Sequence, residues 1–199
     1  MKHPTDTDLD FLHKCNKEEL EFLVKLIIEV GGMTSQLEKK ANFKLYHPDH
    51  TKYVDEIIEE IQRYAGNTFT NLIDGHGAAY REALIDTLRE LAVGFDKRQS
   101  LSELEDLLLR LGLEKFLENF KTEEDREKFR SLLDNIGVRF DAQVGKHKVP
   151  CGSVVMVALF AYSGPGGVVW LQSPASRVVV PAVIYIAKLR QCMKEQGRL

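Results

Sequence analysis

The first clear signal along the chain is a row of apolar positions three and four residues apart. Leu20, Leu23, Val24, Ile27 and Ile28 fall on one face of a helix, the stripe that a core-facing helix shows. Asn16 and Glu19 stand ahead of it as a capping box, and Gly31-Gly32 closes it. Upstream, Asp6 or Thr7 can cap a shorter helix through His13 that carries Leu9, Phe11 and Leu12. Leu37, Ala41 and Leu45 predict a helix over 35–46. Tyr53, Val54, Ile57, Ile58, Ile61 and Tyr64 predict another, which Gly66-Asn67 should interrupt. Tyr80, Leu84, Leu88 and Leu91 repeat the pattern. Ser100 and Glu103 form a second capping box before Leu104, Leu107, Leu108 and Leu111, and Thr122 opens a helix with Phe129, Leu132, Leu133 and Ile136. No strand-period run occurs before residue 149. The expected fold is mainly α, a multi-helix bundle of about six or seven helices.

The pattern changes near residues 145–150. Residues 149–187 hold a single charged side chain, Arg177. Within them, 154–162 is a continuous apolar run, Gly164-Pro165-Gly166-Gly167 is a turn, and 168–171 is a short apolar stretch. Pro181 suits the first turn of a last helix, although the valine clusters also allow a strand. Two parts follow: a charged helical body over 1–148, and an apolar C-terminal hairpin with a basic C-terminal helix over 149–199, packed on the body as one domain.

Composition sharpens this division. The 199 residues include 27 Lys+Arg and 30 Asp+Glu, which excludes bulk disorder and a polytopic membrane protein. The net charge of -3 offers no basic excess to displace phosphate counterions, so no nucleic-acid partner is expected. That figure joins an acidic body of net -7 to a tail of net +4. As a membrane span, 149–163 falls short, at roughly 22 Å of helix against a hydrocarbon core of about 30 Å. Residues 167–187 have the length but contain Pro174, Arg177 and Pro181. The tail is either a hairpin buried against the body or an interfacial one facing a membrane or a protein partner. In the second case Val168, Trp170, Val183 and Ile186 are the contact residues, with Lys188, Arg190, Lys194 and Arg198 against anionic headgroups. The N-terminal residues form no apolar h-region, and Cys15, Cys151 and Cys192 lack the CxxC spacing of a zinc knuckle. The expected location is cytoplasmic, or peripheral on the inner face of the membrane.

Candidate chemistry is sparse. His47-Pro48-Asp49-His50 places two imidazoles and a carboxylate within four residues, which can contribute to a metal site. A loop leading to a helix cap explains the same residues without a metal. Gly75-His76-Gly77 permits close backbone approach, and His76 with Asp74, Tyr80 and Arg81 can form a general-base pocket. The alternative is a helix junction in which His76 bonds a carbonyl. Paired acids such as Glu59-Glu60 and Glu103/Glu105/Asp106 read as polar helix faces. No P-loop, HExxH, nucleophile elbow or Rossmann fingerprint occurs, and no cofactor is indicated.

Three blocks carry a family resemblance: the run from Asp6 to Leu20, then Gly75-His76-Gly77 with Tyr80, Arg81, Leu84 and Asp86, then the run from Arg177 to Arg190. Together they resemble the YaaW-like proteins, a bacterial family of unknown function grouped with ubiquinol–cytochrome c chaperone proteins. The resemblance implies a helical fold and a link to membrane-complex assembly. It implies no catalytic residues. The leading expectation is a non-enzymatic interaction or assembly protein at the cytoplasmic membrane face. An enzyme using the His76 pocket, or a homo-oligomer with the tail in its subunit interface, are the alternatives.

Overall fold

The computed structural model describes residues 6–68, 77–112, 122–124, 127, 131, 173 and 175–199, and these are mainly helical with no strand. A short 3-10 helix, Asp10–Lys14, precedes α1 (Lys17–Lys25), which continues as a π-helical turn, Leu26–Val30. The capping box is formed: Glu19 N donates to Asn16 Oδ1 at 2.9 Å, and Asn16 N donates to Glu19 Oε2 at 2.8 Å. The stripe of Leu20, Leu23, Val24 and Ile27 is buried.

The single helix expected over 35–46 is instead two pieces, a 3-10 turn at Leu37–Lys39 and α2 (Ala41–Tyr46), separated by extended Lys40. Leu37 is fully buried, whereas Ala41 is exposed and Leu45 is 70% exposed, so their common face never forms. The cause is Glu60, whose carboxylate accepts from Gln36 N at 2.5 Å and draws this turn down onto the next helix. That helix, α3 (Val54–Thr68), runs through Gly66-Asn67 rather than stopping there. Burial of Tyr64 and Ala65 just before outweighs a mid-helix glycine, which costs only about 1 kcal/mol.

After the described chain resumes at Gly77, α4 (Tyr80–Glu90) and α5 (Leu101–Leu107) follow, α5 ending in a π-helical turn, Leu108–Gly112. The Ser100/Glu103 capping box is formed. The helix expected after Thr122 lies largely outside the described residues.

The last helix, α6 (Ser176–Glu195), departs most from expectation. It starts five residues before Pro181, so the proline lies inside the helix rather than in its first turn, and the valine cluster is helical, not a strand. Fourteen of its 20 residues are buried, and Val178, Val179, Val180, Ala182, Val183 and Ile186 are at most 1% exposed. A helix apolar on nearly every side belongs inside a core. It packs against α3, α4, α5 and both π-helical turns. That burial offsets the missing proline N–H. Of the expected hairpin, the stretch 149–172 lies outside the described residues. None of the described helices is long and apolar enough to cross a membrane.

Candidate functional site

Arg190, a headgroup contact in the interfacial reading of the tail, is drawn into the interior. Its Nε donates to Glu105 Oε1 at 2.9 Å, and the same oxygen accepts from the Tyr80 hydroxyl at 2.9 Å. Nη2 of Arg190 donates to the backbone carbonyl of Asp8, and the guanidinium lies 4.2 Å from the centroid of the Phe11 ring. The side chains of Arg190 and Glu105 are only 12% and 5% exposed. Burial pushes the Glu105 carboxyl up, against the opposing pull of Arg190 and the Tyr80 bond. Burial, and then Glu105, push the Tyr80 phenol well above its usual range. Within this trio the Arg190 charge opposes the rise of the Glu105 carboxyl, and the Tyr80 phenol stays protonated. The trio ties α4, α5, α6 and the N-terminal segment together.

The same segment caps α4 from a distance. Asp6 Oδ2 accepts from Tyr80 N at 2.6 Å and from Gln62 Nε2 at 3.3 Å, while Ala78 N donates to Gln62 O at 3.2 Å. A Cβ on Gly77 would lie 2.7 Å from Gln62 Cβ, so glycine is what lets this strand of chain touch α3. Three further tail cations are bonded within the fold, whereas Arg177 keeps a buried Nε with no hydrogen-bond partner among the described residues. Arg198 binds Glu19 through both terminal nitrogens, at 2.5 and 3.0 Å, and donates to Lys14 O at 2.7 Å. That guanidinium holds the Glu19 carboxyl below its usual range. Lys194 Nζ donates to Ser102 Oγ at 3.2 Å. Half-buried Lys188 donates to Gln191 Oε1 at 2.9 Å, and burial draws its ammonium pKa down.

Of the general-base set, Tyr80 and Arg81 are described and both serve as braces: Arg81 Nη2 donates to the carbonyls of Lys97 and Gln99 at 3.0 and 2.6 Å. Asp74 and His76 lie outside the described residues, as do Val168 and Trp170. Val183 and Ile186 have no exposed surface, so in this arrangement they are core rather than contact residues.

In the His47-Pro48-Asp49-His50 turn, Asp49 does not face the histidines. Its carboxylate accepts from Thr51 N and Oγ1 at 3.3 and 2.6 Å. His50 is buried, with Nε2 2.6 Å from Glu21 Oε2 and Nδ1 against the Tyr53 hydroxyl. His47 Nδ1 is 3.2 Å from that same hydroxyl. Among the described residues, no three His, Cys, Asp or Glu side chains converge to hold a metal ion.

The buried acids are what sequence reasoning missed. Glu60 and Glu105, read as polar-face residues, are 1% and 3% exposed. For Glu60 the signal was present: with Ile57, Ile61 and Tyr64 it completes an i, i+3, i+4, i+7 row, and a carboxylate in such a row needs a partner. Arg63 supplies it, with Nη2 2.7 Å from Glu60 Oε1 and Nε 2.9 Å from Oε2.

Comparison with known proteins gives homologues at about 30% identity that are named UPF0174 proteins. A UPF0174 protein of Helicobacter pylori strain J99 is 28% identical over 168 residues, 82% of this chain and 64% of the relative. The UPF0174 protein YaaW of Escherichia coli strain K12 is 33% identical over 146 residues, 70% of this chain and 60% of the relative. The chain thus spans less than two thirds of the length of these relatives. No model of a known protein family matches it, and no solved structure matches it.

Proposed function

We propose that the chain is a YaaW-like protein with a non-enzymatic interaction or assembly role, acting at the cytoplasmic face of a membrane. The observation that carries this reading is the anchoring of α6. Two of its cations, Arg190 and Lys194, bond to Glu105, the Asp8 carbonyl and Ser102, which ties the C-terminal half of the helix to the body. The stretch immediately before it, 149–172, contains no charged side chain at all. A charge-free segment next to an immovable helix is suited to present Val168 and Trp170 to lipid or to a membrane protein, while the acidic body stays in water. The chaperone grouping implied by the family resemblance fits the same role, as contact with a partner during assembly of a membrane complex. The commitment of Tyr80 and Arg81 to bracing bonds favours this over an enzyme built around them.

The test is flotation of the full chain with anionic liposomes. Wild-type protein should rise with the vesicles, and W170A or V168D should leave it behind with its helical circular dichroism intact. Protein that stays monomeric by light scattering and never rises with lipid would sink the proposal.

A further inference from the structure

The short helix α2 shows an apolar side to water. Its inward side is taken by Phe43, whose ring packs on the core, stacks on His47 with centroids 4.6 Å apart and meets Tyr53 edge-on at 5.3 Å. Two bonds pin the segment to α3: Asn42 Nδ2 donates to Glu56 Oε1 at 2.5 Å, and Lys40 Nζ donates to Glu59 Oε2 at 2.8 Å. Residues two apart on a helix point roughly 200° from each other, so with Phe43 inward Leu45 is held away from the body. It is 70% exposed, and Tyr46 beside it is 42% exposed. A leucine fixed outward on a pinned helix leaves apolar surface in water that contact with an apolar phase would remove.

The charge around this face runs against that of the body. Residues 39–48 hold Lys39, Lys40 and Lys44 and no acid, although the body as a whole is acidic. Lys39, Lys44 and Lys52 are exposed. The carboxylates of Glu56 and Glu59 accept from Asn42 and Lys40, and that of Asp49 accepts from Thr51, which leaves Glu38 as the exposed acid at the edge. Charges more than about 8 Å away are screened at physiological salt, so an approaching surface meets these lysines rather than the net charge of the body. An apolar tip among lysines is complementary to an anionic bilayer, with hydrocarbon below its headgroups. The size of the tip favours lipid over a protein. α2 has six residues, about 9 Å of helix, whereas a stable protein interface covers about 800 Å² on each partner. Lipid needs no matching shape, and a tyrosine, apolar in its ring and polar at its hydroxyl, suits the headgroup level.

We propose that the outward face of α2, with Lys44, Leu45 and Tyr46, docks the body on anionic lipid headgroups, assisted by Lys39 and Lys52 in the adjoining turns. Leu45 and Tyr46 enter the interface, and the lysine ammonium groups meet the phosphates. The inference builds on the membrane-face reading and adds a second point of contact to the one at Val168 and Trp170. Each contact is small, and the two together hold the body at the surface with α2 facing it.

The experiment moves the single tryptophan of the full chain. In wild type the only indole is at position 170, and in W170F/L45W it is on α2, so each contact reports separately. Vesicles of equal parts phosphatidylcholine and phosphatidylglycerol should shift the W170F/L45W emission to the blue, and phosphatidylcholine alone should not. High salt should reverse the shift. K44E in the same background should weaken partitioning at least about fivefold. K97E, the same charge change at an exposed site before α5, should leave it unchanged, with helical circular dichroism intact in every variant. If the L45W indole stays in water while wild-type Trp170 shifts, this proposal fails and the tail contact stands. A shift at L45W with Trp170 silent supports this contact and removes the other, and if neither moves both fail. The proposal is also overturned if K97E weakens partitioning as much as K44E. A shift at L45W on poly-glutamate but not on vesicles overturns it too, because the face then takes an acidic protein segment.

Discussion

Replacing Arg190 with methionine keeps most of the side chain's length and packing over Phe11 while removing its charge. What remains is the Glu105 carboxylate, 5% exposed, with a single hydrogen bond from Tyr80. Breaking a buried pair from one side costs about 3–5 kcal/mol, because the surviving charge has lost its partner in a low-dielectric site. For a domain of this size each kcal/mol lowers the melting temperature by roughly 2–4 °C, so R190M should melt roughly 6–20 °C below wild type. Urea unfolding followed by far-ultraviolet circular dichroism measures the change as a shift in midpoint at constant slope.

The pH dependence makes the test specific. Burial already raises the Glu105 carboxyl, and Arg190 is the largest influence pulling it back. Without Arg190 it rises further. A carboxyl raised in the folded state stabilises that state at low pH and loses this contribution as pH climbs through its folded value. The R190M deficit should therefore be smaller at about pH 5 than at about pH 8. The double variant E105L/R190M removes both charges and should recover most of the loss, giving a coupling energy of about 2–3 kcal/mol between the sites. A loss below about 1 kcal/mol for R190M, a deficit independent of pH, or strict additivity in the double variant would each refute a buried, energetically coupled node.

Two further outcomes are expected. A Cβ on Gly31 would fall 2.2 Å from both the Tyr64 hydroxyl oxygen and the Ile27 carbonyl, so G31A should cost about 1–3 kcal/mol in urea unfolding through overpacking. G32A, where there is open space but φ is +50°, should cost only about 1 kcal/mol from left-handed strain. Arg198 holds the Glu19 carboxyl below its ordinary 4.5, so this contact adds stability above that pH and loses it as pH falls through the folded value. E19Q should accordingly flatten the acid limb of the melting-temperature profile, and an unchanged acid limb would remove Arg198–Glu19 as its source.

The helices that were legible in the chain are those whose boundaries are set locally. Asn16 with Glu19, and Ser100 with Glu103, close their capping boxes within one turn, and no distant residue is needed to read them. The 35–46 segment was misread because its decisive contact comes from Glu60, 24 residues away in sequence from the Gln36 amide it accepts. Arg190 was misread for the same reason on a larger scale. A cation beside an apolar tail resembles a headgroup contact until its partner is known, and Glu105 is 85 residues distant. The three sequence blocks that carry the family resemblance look unrelated in the chain, yet Asp6 and Asp8 from the first, Tyr80 from the second and Arg190 from the third meet at one place. Their role is to fix where the N-terminal segment and α4 sit on the final helix. Because that helix is buried on nearly all sides, its placement must be specified by polar contacts with direction, which apolar packing alone does not supply.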